Sequence, residues 1–241
     1  LDTPKKTKKF DEPIPLLAHL GELRKRIIYS VSIITVCSIL MYSTVDVVIA
    51  DLAKPVGKLY FTGPVEAFMT RLKISLFLGL LVSLPFVLFQ FWSFIQGGLL
   101  SKEKRFILAV TAISFALFVA GASFCYFLIL PVGVKFLIAY GSETLVPLIT
   151  ISKYLSFVTT LVFAFGLIFE LPVIVGFLAK VGIVHSDMLR QQRRFAVVII
   201  FIAAAALTPG PDVFSQVMMA VPLLVLYEAS IFVARIIERR N

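Results

Sequence analysis

Charged residues are scarce in this chain: 15% of its 241 residues are Asp, Glu, Lys or Arg, against 59% that are hydrophobic. Soluble domains carry about 25% charged residues, so this composition, with a mean hydropathy of +0.99, excludes one or two water-soluble domains and requires an integral membrane protein. Histidine and cysteine are as thin, two of each. His19 and His185 flank helix starts with no companion ligands, which argues against a metal centre. Cys37 and Cys125 both lie in apolar runs, at depths of roughly 15 and 28 Å along their helices, so each reads as a small hydrophobe and no disulfide is expected. The single tryptophan, Trp92, and Tyr154 sit at helix ends, where aromatic belts belong. A phosphate-cradling glycine loop, an HExxH zinc helix and a paired nucleophile and base are all missing, so the expectation is a protein that is not an enzyme and carries no cofactor.

What the chain has instead is long apolar runs. Six approach or reach the roughly 20 residues of a spanning helix: 27–45, 74–95, 106–130, 154–179, 195–207 and 213–234. The expected fold is therefore all-α, a single transmembrane domain over residues 14–241 behind a basic tail at 1–13 that anionic lipid attracts. The polar N-terminus, with no small-residue cleavage site after the first apolar run, predicts that no leader is removed there. The fifth run is short and ends at Pro209-Gly210-Pro211. Pro85, Pro172 and Pro222 interrupt three spans and are expected to bend them, giving a grooved bundle. Pro64 and Glu66 mark a helix start leading into the second span, residues 131–140 read as an outer helix, and Ser152 is expected to cap the fourth span.

An even number of spans puts both termini on one side. With the N-terminus inside, 17 of the 23 lysines and arginines fall on the inner segments, including Arg24, Lys25 and Arg26 ahead of the first span, so the positive-inside bias places both ends in the cytoplasm. In a membrane protein this uneven distribution accounts for the formal charge of +9 without a nucleic-acid partner.

Against that basic face the few acids stand out. Glu22 precedes the first span with Arg26 four residues on, which is also the spacing of an ordinary helix pair. Glu103 follows Ser101, which places it equally well in the first turn of a capped helix. Glu170 lies about two-thirds of the way along the fourth span, where a carboxylate facing lipid costs on the order of 3 kcal/mol; it reads either as the polar floor of a groove or as a carboxyl bonded inside the bundle. Asp212 reads as the cap of the sixth helix, Gln216 lies one turn inside that span and needs a partner, and Glu228 is a second buried-acid candidate. On these residues alone a proton-coupled small-molecule carrier using Glu170 and Glu228 competes with a recognition component.

Several motifs together change that balance: His19-Leu20-Gly21-Glu22-Leu23-Arg24-Lys25-Arg26, Lys73-Ile74-Ser75-Leu76, Gln90-Phe91-Trp92-Ser93-Phe94-Ile95, Glu103-Lys104-Arg105, Phe169-Glu170-Leu171-Pro172 and Pro211-Asp212-Val213-Phe214-Ser215-Gln216. With these the chain resembles the TatC family, the receptor subunit of the twin-arginine protein translocase, from Ile14 to Ile237. The resemblance implies a concave bundle of six helices in the bacterial cytoplasmic (inner) membrane, with both termini cytoplasmic. It implies binding of the twin-arginine signal peptides of folded cargo and, in an oligomeric complex with TatA and TatB type single-span subunits, export driven by the proton-motive force. By the same resemblance Glu22 and Glu103 receive the arginines, Arg24 and Phe94 belong to the same region, Glu170 is the polar residue of the groove, and Gln216, with Asp212 and Glu228 nearby, lies where partner helices dock. The chain departs from the family's pattern at Leu100, Ser101 and Lys102, where an aromatic and a histidine often stand, and Lys102 puts a repelling cation beside Glu103.

Overall fold

The computed structural model describes residues 16–99, 104–139, 148–207 and 213–239. Within them the chain is helical nearly throughout, and the only strand-like pairing is a bridge between Tyr60 and Thr150. Five stretches are long and apolar enough to cross a bilayer: Leu20–Ala53, Pro64–Ile95, Ile107–Phe136, Ile151–Val181 and Gln216–Glu238.

The first span is α1 (Leu16–Met41), carried through a 3-10 turn into the short α2 (Val45–Ala53). It lies against α3 (Pro64–Leu99), which starts at Pro64 as its sequence predicts and runs past Pro85 without a break. Close approach comes from small residues: a Cβ at Gly79 would collide with the backbone of Ser38, and the Ser75 hydroxyl donates to the Ser38 carbonyl. The other face of α1 is exposed at Ile28, Val31, Val36 and Ile39, a surface suited to lipid.

α4 (Lys104–Phe124) does not stop at residue 130. A π turn, Cys125–Ile129, joins it directly to α5 (Leu130–Ile138). Pro131, in the first turn of α5, cannot donate the backbone bond that a regular helix needs there, and the wider turn absorbs that loss. The turn also points Tyr126 at Asp51 of α2, to which its hydroxyl donates.

The fourth span is two helices, α6 (Ile151–Ile168) and α7 (Leu171–Val181), where a bend was expected. Phe169 and Glu170 form the joint, and Pro172 sits in the first turn of α7. The break lets the two halves choose different neighbours: α6 packs on α4 and α3, and α7 packs on α10 (Val213–Glu238). Gly121 and Gly166 allow the α4–α6 approach, since a Cβ at either would meet Phe169 or Phe118. α7 ends at Gly182 with φ 80°, where Ile183 N–H returns to the Leu178 carbonyl. The short α8 (Ser186–Gln191) is then strapped to α10 by Glu238, whose carboxylate accepts from the Ser186 N–H and hydroxyl at 2.6 Å.

α9 (Arg193–Leu207) has 15 residues and spans about 22 Å, short of about 30 Å of hydrocarbon. α10 continues through Pro222 without interruption.

Two connections far apart in sequence are stitched together. Tyr60 N–H donates to the Ile149 carbonyl at 3.0 Å, and Ile151 N–H to the Tyr60 carbonyl at 2.7 Å. Glu66 adds a second stitch, accepting from the Thr62 N–H at 2.7 Å and the Ser152 N–H at 3.3 Å. Ser152 therefore does not cap α6; Thr150 is the cap residue, without a side-chain cap bond, and the Tyr60 carbonyl and the Glu66 carboxylate meet the Ile151 and Ser152 N–H groups instead.

Candidate functional site

Polar chemistry concentrates at two places. The first is where α1 meets the far end of α3. Arg26 donates from Nε to Glu22 Oε1 at 3.0 Å and from Nη2 to the same oxygen, so the helix pair of the sequence forms. Arg26 Nη1 goes on to Gln90 Oε1 at 2.9 Å, which ties the pair to α3. Because both bonds from Arg26 converge on Oε1, Glu22 Oε2 takes no part in the ion pair, and the Glu22 side chain is 35% exposed. A carboxylate held at one oxygen can still accept at the other. Arg24 is exposed beside it, and half-buried Phe94 lies one helical turn beyond Gln90. Glu103 lies outside the described residues.

The second place is the α6–α7 joint. Glu170 is 5% exposed, and neither carboxylate oxygen has a hydrogen-bond partner. Ser114 of α4 lies near it, outside normal hydrogen-bond geometry, and accepts the indole N–H of Trp92 at 2.9 Å. Thr111, one turn before Ser114, also buries an unpartnered hydroxyl.

The remaining residues fall elsewhere. Glu228 is not a buried acid: its side chain is 53% exposed and pairs at 2.6 Å with Arg193, which the first turn of α9 brings to it. Gln216 finds its partner inside the chain, donating from Nε2 to the Phe201 carbonyl of α9 at 3.0 Å. Asp212 lies outside the described residues. No cluster of three or more histidines, cysteines or acids that could hold a metal occurs among the described residues, and Cys37 and Cys125 are free thiols. Gln90, Trp92 and Ser114 escape a residue-by-residue search. Gln90 and Trp92 do stand in one motif with Phe94, but the sequence carries no sign that they reach Arg26 and Ser114.

A bundle with five helices long and apolar enough to cross a membrane, and with an acid buried inside it, defines a multi-pass membrane protein. Residues 18–222 match the family described as Sec-independent protein translocase protein (TatC), and the chain belongs to that family. It is 46% identical over 235 residues to the Sec-independent protein translocase protein TatC of Carboxydothermus hydrogenoformans, covering 96% of this chain and 97% of the relative. To the TatC of Aquifex aeolicus it is 38% identical over 236 residues, with 95% and 98% covered. The fold superposes on a crystal structure of the twin-arginine translocase receptor TatC with a TM-score of 0.81 at 37% identity, over 91% of this chain and 99% of that one.

Proposed function

We propose that this protein translocase component is the subunit that reads the twin-arginine signal of folded cargo, working with TatA and TatB type single-span subunits in the bacterial cytoplasmic membrane. The reading includes six crossings, with α9 as the short fifth, and both termini in the cytoplasm; the 17 inner cations support it. The observation that carries the signal-binding role is the Glu22 carboxylate, with Oε2 outside its ion pair on an otherwise basic face.

Guanidinium groups are planar forks that match a carboxylate with two parallel bonds, which a lysine ammonium cannot do. Glu22 supplies one acceptor and Glu103 the other. Arg24 repels any cation that is not brought to the carboxylates, and Phe94 offers a flat apolar face to the methylene stems of the arginines. Glu170 receives a polar group of the signal or of a partner helix within the membrane. Partner helices dock on the α9–α10 pair, which Gln216 and Glu228 lock together and beside which Asp212 falls in sequence.

The test is fluorescence anisotropy of a labelled twin-arginine peptide on the purified chain. Hydrogen bonds to charged groups contribute about 1.5–3 kcal/mol, so Glu22→Gln or Glu103→Gln should weaken binding on the order of tenfold or more while a twin-lysine peptide binds poorly throughout. Unchanged affinity in both variants sinks the assignment.

A further inference from the structure

The hydroxyl of Ser114, wholly buried, sits between two groups from different spans: the indole N–H of Trp92 on α3, bonded at 2.9 Å, and the carboxyl of Glu170 at the α6–α7 joint. Trp92 is itself 4% exposed and packs at 5.4 Å between ring centres against Phe177 of α7, about two turns beyond Glu170. It lies two residues from Gln90, the residue that holds Arg26 and through it Glu22. The segment of α3 beyond Pro85 therefore carries both Gln90 and Trp92 on one short rigid length of helix. A proline inside a helix removes one backbone bond, which makes that point the natural pivot.

We infer that Trp92 and Ser114 are positioning residues for Glu170, and that they join it to the Glu22–Arg26–Gln90 cluster at the end of α3. The indole N–H occupies one lone pair of the Ser114 oxygen, which leaves the hydroxyl one proton to offer, and the carboxyl that it faces has two unfilled oxygens. When a guanidinium takes Glu22, Arg26 loosens from Gln90, the end of α3 turns about Pro85, and Trp92 moves Ser114 relative to Glu170. The part that concerns the entry cluster rests on the signal-binding role proposed above. The part that concerns Ser114 and Glu170 does not.

Trp92 is the only tryptophan in the chain, so the emission of the unlabelled protein reports on this one site. In lipid nanodiscs, Glu170→Gln should shift the Trp92 emission of the full chain, Ser114→Ala should shift it to the blue and abolish its response to Glu170→Gln, and Ser114→Thr, which keeps the hydroxyl, should restore that response. Binding of a labelled twin-arginine peptide, followed separately by anisotropy, should move the same emission. With partner subunits present, Ser114→Ala should slow export roughly fivefold or more while peptide affinity stays within about twofold, a split that a loss of folded protein does not produce. Emission indifferent to Glu170→Gln in the otherwise unaltered chain overturns the positioning role, whether or not Ser114→Ala folds. Peptide bound by anisotropy with Trp92 unmoved overturns the link to the entry cluster. Absence of any peptide binding instead overturns the receptor reading and that link with it, and the Glu170→Gln result still decides the positioning role.

Discussion

On the proposed signal-binding reading, Arg26 and an incoming arginine compete for the Glu22 carboxylate. A partly exposed pair such as Glu22–Arg26 contributes about 0.2–1 kcal/mol, so removing the resident cation can improve access by up to about fivefold. Arg26→Gln is accordingly expected to tighten twin-arginine peptide binding by a few-fold in an anisotropy titration. Weaker or equal binding places the acceptor elsewhere. Glu170 makes a different prediction at the same scale. Buried polar atoms without partners cost about 1–3 kcal/mol, so Glu170→Met should raise the thermal unfolding temperature of the isolated chain in detergent while abolishing export. A lower unfolding temperature would mean that the carboxyl is a structural bond after all.

Among the elements, α1 depends on α3 more than on any other neighbour, and Gly79 stands at a close approach between them. Gly79→Ala forces a methyl into the Ser38 backbone, which cannot swing away as a side-chain tip can. Overpacking of this kind costs about 1–3 kcal/mol and should appear as a lower unfolding temperature, with Gly57→Ala excluded as a control because Gly57 has φ 78°. At this scale the sequence was legible wherever the cause was local. The start of α3 at Pro64, the Glu22–Arg26 pair and the apolar runs all follow from spacing within one helix. The full break at Glu170 was not legible, because a proline predicts a bend and only the different partners of α6 and α7 turn it into a joint. Nor were the Arg193 that neutralises Glu228, the Phe201 carbonyl that satisfies Gln216, or the Glu66 that serves Ser152, since each partner comes from another helix. The candidate site divides in the same way: its acids stand out by type and place, and the groups that orient them do not.

The molecule as a whole mixes long helices with one of 15 residues, so on the proposed reading, in which α9 is a crossing, no single bilayer thickness suits every span. Its unfolding temperature in nanodiscs of increasing acyl length should peak at a thickness below about 30 Å and fall on the thicker side, where α9 and its flanking arginines must be drawn into hydrocarbon. A flat profile would show that neighbouring helices shield α9 completely.

Tyr60 meets its hydrogen-bond partners in residues 149 and 151, with α3, α4 and α5 between them along the chain. During synthesis the connection after α2 therefore emerges long before anything exists to hold it, and it must wait until α3, α4 and α5 have been made and the chain reaches residues 149–151. Nascent chains arrested before residue 149 should leave residues 54–63 open to an added protease, and slightly longer ones should close that window. This lacing between two distant connections can be completed only by a polypeptide whose α3, α4 and α5 have already been made.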